Sequence, residues 1–232
     1  MPVSLPQNFP NQFQRECLKL INSLLPLSSS VFYLVNPDMR HLGVALHNMP
    51  PSVEQNYRQK YRALDPLNPA KFEGTDEILV TIDSQMPLHR LKQSVYYQEF
   101  MKPNNQHHVA DMFFRREGDI IAVLSMLRDE GLGRFTRDEL DLLKKQQPFL
   151  EYALNQVYLP KRVEERRDLA DKFGLTQREL DVVEQLAAGA SNKAIANELR
   201  LGLPTVKTHI QHIYQKTGVS SRTELLSRVL AS

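Results

Sequence analysis

Between Leu203 and Gly218 the chain reads LPTVKTHIQHIYQKTG, with no Asp or Glu but with Lys207, His209, His212 and Lys216. Val206, Ile210 and Ile213 recur at helical spacing. They place Lys207, Thr208 and Gln211, at i, i+1 and i+4, on the face opposite that apolar seam. Short polar and basic side chains without a carboxylate suit one chemistry above others. They can hydrogen-bond base edges in a groove flanked by phosphates, which would repel an anion. Other constellations carry less. His107-His108 stands where a strand should start, and adjacent strand residues point to opposite faces, so surface histidines rather than a metal site are expected. Neither a G-x-S-x-G elbow nor a G-x-x-x-x-G-K-[ST] loop occurs. With no nucleophile–base set in view, the chain is expected to be no enzyme and to need no cofactor or metal. Cys17 is the single cysteine, which excludes a disulfide framework and a thiolate cluster. It falls on the apolar side of a helix and should be buried and inert.

A groove-reading helix needs partners to hold it. Thr176 with Glu179 three residues on makes a capping box, Leu180, Val183 and Leu186 give that run an apolar face, and Gly189 closes it. Ser191 can cap the next helix, where Ile195 and Leu199 face inward. Gly202 opens a turn, and Pro204 fits the first turn of the third helix, where its missing N–H costs little. Arg222 to Leu230 makes a fourth. Two helices joined by a tight turn form a helix-turn-helix, the first crossing the backbone and the second entering the major groove.

The remaining sequence has a different character. Phe13, Cys17, Leu20 and Leu24 mark a helix over 8–25, with Phe13 through Leu24 as its apolar face. Strands at 29–36 and 41–48 flank a Pro37-Asp38 turn, and strands at 108–116 and 119–128 flank Glu117-Gly118. Helices are expected over 51–64, 87–102 and 136–158, the last capped by Thr136 and Glu139 and kinked at Pro148. The order suggests an α+β domain, an antiparallel sheet with helices on its faces, over residues 1–157. A charged, solvated linker over 158–173 follows, partly helical with KRVEERR as a solvated helix face, then an all-α four-helix domain over 174–232. Net charge is +2 overall, but it is −1 over residues 1–160 and +3 over 161–232. The anion-facing end is therefore the C-terminal one. No stretch has the form of a signal peptide or a membrane span, and a cytoplasmic protein is the simplest expectation.

From Leu175 to Glu224 the sequence resembles the LuxR-type helix-turn-helix family. The matching pieces include Leu175-Thr176, Arg178-Glu179, Gly189, Ser191-Asn192-Lys193, Ile195-Ala196, Thr205-Val206-Lys207, His209, Gly218-Val219 and Ser221-Arg222-Thr223-Glu224. Gly202, Leu203, Pro204 and Thr217 depart from its usual residues. The resemblance implies that Lys207, Thr208 and Gln211 face bases and that Thr176, Asn192, Lys193 and Thr205 approach phosphates. Thr176 and Thr205 can equally be plain helix-end residues. It also implies a bacterial transcription regulator that binds a two-fold symmetric operator in double-stranded DNA as a homodimer and works with RNA polymerase.

The N-terminal region lacks the alternating strand–helix form and paired acids of a phosphoacceptor receiver. Size and domain order are similar to the acyl-homoserine-lactone receptors of the same family, used in quorum sensing. The stretch NYRQKYRALDPLNP is similar to their pocket segment, which implies Tyr57, Tyr61 and Asp65 as ligand-binding residues. Spacings of four put the three on one helical face. Asp65 would accept from a ligand N–H, and a Tyr hydroxyl would donate to a carbonyl. Those receptors line their pocket with Trp, and this chain has none. The segment DIIAVLSMLRDEGLGRFTRDELDLLKKQQPFLEYAL is as similar to the closing strand and helix of a GAF domain. The expectation is a GAF-like or autoinducer-domain-like sensor holding a small-molecule effector. Core packing for the two tyrosines and a helix-end role for Asp65 stand beside it. So does control of the N-terminal domain by a partner protein, or constitutive action.

Overall fold

The computed structural model describes residues 12–35, 39 and 41–230. The chain divides into two compact units, Phe13–Asn155 and a second from Gln156 onward. The expected α+β architecture is present in the first and the all-helical one in the second.

In the first unit, α1 (Gln12–Leu24) precedes β1 (Ser29–Val35) and β2 (His41–His47). The expected start of that helix before residue 12 and the Pro37-Asp38 turn lie outside the described residues. The buried stripe of α1 is Gln14, Cys17, Leu18 and Ile21, whereas Leu20 and Leu24 are exposed, so its inner face is rotated from the one anticipated. Burial pushes the Cys17 thiol up to about 12, with the Glu16 charge adding to it, and keeps it protonated.

The segment expected as one helix over 51–64 is three pieces: α2 (Pro51–Asn56), a π-helical turn Tyr57–Tyr61 and a 3₁₀ turn Arg62–Leu64. The Asp65-Pro66 break ends it as anticipated, with Asp65 extended. A short strand, β3 (Leu79–Thr81), and a one-turn helix, α3 (Ile82–Gln85), follow where no element was expected. The segment expected as a helix over 87–102 is α4 (Leu88–Gln93), a break at extended Ser94, and a π-helical turn Tyr96–Met101. β4 (His108–Arg116) and β5 (Asp119–Arg128) then form the long hairpin. Its two-residue turn, Glu117-Gly118, has both φ values positive, as the tight twisted connection requires.

The sheet order is β2-β1-β5-β4-β3, antiparallel throughout. One face carries Val31, Tyr33, Val109, Phe113, Val123 and Leu127 into a core shared with Leu67, Leu91, Tyr97 and Phe100. On the other face Phe32 stacks on Phe114 and meets Phe13 of α1 edge-on. That face is also bonded by α5 (Arg137–Tyr152), whose Gln147 donates to the Phe113 carbonyl. Burying each such phenyl ring stabilises the fold by roughly 2–3 kcal/mol. The Thr136–Glu139 capping box is formed, and the α-helix continues through Pro148. Arg128, 2% exposed, reaches from β5 to grip Glu139 at 2.6 Å, tying the last strand to the start of α5.

In the second unit, residues 158–173, expected as a solvated and partly helical linker, are helical almost throughout, as α6 (Leu159–Phe173). Leu169 is buried in the helical core, and Arg166 bonds Asp181 and Glu184 of α7 (Gln177–Ala187). Arg162 likewise reaches Glu184, while Lys161, Glu164 and Arg167 stay exposed. α8 (Asn192–Leu199), α9 (Leu203–Thr217) and α10 (Arg222–Leu230) complete the unit. Val206, Ile210 and Ile213 form the buried seam of α9, as expected.

Lys216 does not belong to the anion-facing surface, because its Nζ lies 2.7 Å from Oε2 of Glu179, which is 3% exposed. Burial pushes the Glu179 carboxyl up. The Lys216 ammonium and the N–H and hydroxyl of Thr176 more than offset this and hold it below 4.5. The stabilisation is therefore present above the unfolded value and is lost as pH falls through the lower folded one. Lys216→Met should destabilise the helical unit by about 1–2 kcal/mol, since the lysine side of the pair is solvent-screened. Glu179→Gln should flatten the acid limb of the stability–pH curve. Denaturation of the full chain followed by circular dichroism from neutral pH to below 4.5 checks both; an unchanged acid limb would show that the pair contributes nothing.

Candidate functional site

The face of α9 is set by its two ends. Arg200, in the left-handed region at φ 53°, ends α8, and Leu201 N–H closes back on the Ala196 carbonyl at 2.9 Å. Gly202 then starts α9, with Pro204 in its first turn. Lys207, Thr208 and Gln211 are all exposed on one face, opposite the buried seam. The Thr208 hydroxyl donates to the Pro204 carbonyl at 3.1 Å. His212 is exposed and His209 half-buried.

Of the residues expected near phosphates, Lys193 and Thr205 are exposed and Asn192 is half-buried in the first turn of α8. Thr176 is engaged at its own helix end. Its hydroxyl accepts from Glu179 N–H at 3.3 Å and donates to Glu179 Oε2 at 2.9 Å. Two arginines that sequence reasoning passed over brace the arrangement. Arg178 donates to the Leu199 carbonyl at 2.6 Å, and Arg222 to those of Leu186 and Ala190 at 2.6 and 2.8 Å. These carbonyls lie at the end of α8, at the end of α7 and in the connection between the two helices. The signal for them lay in position: both sit within the family motif, yet away from the α9 face.

In the sheet-containing unit a cavity of about 60 Å³ opens between the core face of the sheet and the segments 49–65 and 96–106. That is room for a few waters or one compact molecule. Tyr57 and Asp65 both line it. The Tyr57 hydroxyl donates to Asp65 Oδ2 at 2.8 Å, and Leu67 N–H donates to Oδ1 at 2.8 Å. Tyr61 does not join them. It is half-buried and stacks on Phe100 at 5.1 Å, because the π turn is wider than an α turn and breaks the spacing of four. Burial pushes the Asp65 carboxyl up, against the lowering by Leu67 N–H and the hydroxyls of Tyr57 and Tyr96.

Four lining residues went unnoticed in sequence. Tyr33 on β1 stacks on His41 at 3.7 Å. The His41 Nδ1 lies 3.1 Å from Glu54, but burial holds the ring below its ordinary pKa, hence neutral near pH 7. Tyr96 comes from the second π turn. Asp111 is the fourth, 3% exposed at the centre of β4 between Val109 and Phe113 on the apolar face. Burial, then the charge of Asp65, pushes its carboxyl well up. The signal was available: in HVADMFFRR an acid falls on the face that alternation assigns to hydrophobes.

His107 bonds Tyr97 and His108 faces Asp83, and the two do not converge. Among the described residues no group of three or more His, Cys, Asp or Glu is arranged to hold a metal. Nor is any described helix long and apolar enough to cross a membrane.

Residues 174–229 match the family model described as bacterial regulatory proteins, luxR family. The monoamine regulon transcriptional regulator of Klebsiella aerogenes is 37% identical over 212 residues, covering 91% of this chain and 88% of that protein. Two solved structures share the fold of the sheet-containing part. One is a domain of a putative two-component sensor histidine kinase protein from Sinorhizobium meliloti 1021, at TM-score 0.51 and 11% identity, covering 68% of this chain and 99% of that one. The other is the VqsR LBD domain from Pseudomonas aeruginosa, at TM-score 0.50 and 12% identity, covering 62% and 84%. At these identities the likeness is one of fold alone. The relative that matches nearly end to end and the family model over the helix-turn-helix agree: the chain belongs to the luxR family of bacterial regulatory proteins.

Proposed function

We propose that this transcriptional regulator reads a two-fold symmetric operator as a homodimer, through Lys207, Thr208 and Gln211, and that a small molecule in the sheet-side cavity sets its activity. The observation that carries the DNA reading is the exposed, carboxylate-free face of α9. Lys193, Asn192 and Thr205 would approach phosphates. Thr176 fits that role less well, since its hydroxyl already closes its own helix. RNA polymerase is the expected downstream partner. The Klebsiella aerogenes relative is named for a monoamine regulon, and the corresponding expectation here is a set of genes connected with monoamines. A second copy of the chain is supported by Phe149 and Tyr152, three apart on α5 and 67% and 62% exposed. Large aromatic side chains so exposed on one helical face favour a protein partner.

Gln211→Ala should cost about 1–3 kcal/mol on the cognate operator and relax preference at one base position. Lys193→Ala should weaken all sequences alike and reduce the slope of log affinity against log salt by about 1 per site. Titrations of the full chain on an operator library at two or more salt concentrations separate the two. Unchanged base preference for Gln211→Ala would mean that α9 is not in the groove.

Phe149→Lys combined with Tyr152→Lys should convert a dimer to a monomer in sedimentation while preserving the circular dichroism spectrum. Operator affinity should fall by about a hundredfold or more, because the second half-site no longer binds at a high effective concentration. A variant that remains dimeric would place the pairing surface elsewhere.

A further inference from the structure

We propose that the cavity of the sheet-containing unit is a receptor for a small organic cation, an amine whose ammonium sits against the carboxylates of Asp65 and Asp111 under Tyr33, Tyr57 and Tyr96. This rests on the reading of that cavity as the effector site and names the chemistry the site selects.

Three carboxylates line one cavity, Glu54, Asp65 and Asp111, and the residues lining it include no Lys or Arg. Glu54 is already matched outside the lining by Arg58 at 3.0 Å, which leaves Asp65 and Asp111, at 6% and 3% exposure, facing the space. The Lys71 amine is engaged by the backbone carbonyl of Asp65 at 2.6 Å. His41 is in the lining but is held neutral. The two acids are not equally provided for. Asp65 accepts from Tyr57 and Leu67. Asp111 has the Ser125 hydroxyl against it, but its Oδ1 is buried without a hydrogen-bond partner.

A buried acceptor left unpaired costs free energy, and a buried negative charge costs more. An ammonium answers both demands, with three donors and a compensating charge. A neutral amide N–H would fill one lone pair and leave the charge standing. The walls agree with a cation. Tyr33, Tyr57, Tyr96 and Phe100 present aromatic rings to the space, and such faces attract a desolvated ammonium. Val31, Val53, Val109 and Leu127 supply apolar contact for the rest of the molecule.

Phenethylamine and phenethyl alcohol have nearly the same shape and differ in charge, so they form the test pair. With the full chain, the amine should raise the melting temperature saturably, and the alcohol should bind at least about tenfold more weakly. Asp111→Asn keeps the shape and removes the charge. It should raise the melting temperature of the unliganded protein, weaken phenethylamine by about tenfold or more, and leave the alcohol unchanged. Equal affinity for the two compounds, or an Asp111→Asn protein that keeps its amine affinity, overturns the ammonium site and leaves an effector cavity of another chemistry. No response to methylamine, butylamine or phenethylamine also overturns it. If operator affinity is in addition indifferent to small molecules extracted from the producing cell, the effector reading falls as well.

Discussion

Every helix leaves donors unpaired at its start and acceptors unpaired at its end, and the helical unit meets this constraint with charged side chains borrowed from neighbouring helices. Glu179 serves two helices at once, accepting from Thr176 at the start of α7 and from Lys216 near the end of α9. Arg178 crosses to the end of α8, and Arg222 crosses to the end of α7. The apolar core would hold these short helices near one another in several arrangements. The cross-helix bonds choose one, and that choice aims the exposed face of α9. A reading surface that carries little structure of its own can then vary in base preference while the frame behind it stays fixed.

The sheet-containing unit solves a harder problem. Its core face is largely apolar and rich in aromatic rings, yet it buries Asp65 and Asp111 in the same space. Asp65 is compensated by backbone and tyrosyl donors. Asp111 is compensated only in part, and removing its charge would be the cheaper design for stability alone. A protein that keeps such a group holds free energy in reserve for whatever neutralises it. An amine bound at the proposed site would stabilise this unit by relieving an existing cost as well as by adding contacts.

The helix-turn-helix was legible because its signals are local. Thr176 with Glu179, Ser191, Gly202 with Pro204, and the Val206–Ile210–Ile213 seam each report on residues within a turn or two. The two long hairpin strands were legible for the same reason, from alternation and the Glu117-Gly118 turn. What escaped notice depends on distant partners. The run KRVEERR is the largely solvated helix face its composition suggests, but the pairing of Arg162 and Arg166 with Asp181 and Glu184 of α7 depends on a helix farther along the chain. Lys216 looks like a DNA cation until Glu179 is placed beside it. β3 is three residues long and exists because β4 offers it an edge. The cavity was half visible: Tyr57 and Asp65 could be named, whereas Tyr33, His41, Tyr96 and Asp111 converge from elements far apart in sequence.

The two π turns beside the cavity carry a further implication. A π turn holds one residue more than the α turn it replaces. Tyr57–Tyr61 and Tyr96–Met101 supply three of the cavity's aromatic rings, Tyr57, Tyr96 and Phe100. Loss of a single codon within Tyr96–Met101 would restore the ordinary α pitch and swing the side chains on one side of the deletion by about 100° about the helix axis. The wall of the cavity would be re-tiled while the hydrogen-bonded sheet opposite it kept its register. In-frame insertions and deletions at these two turns, rather than point substitutions alone, are thus an available route by which descendants of this gene could change the shape and lining of the cavity.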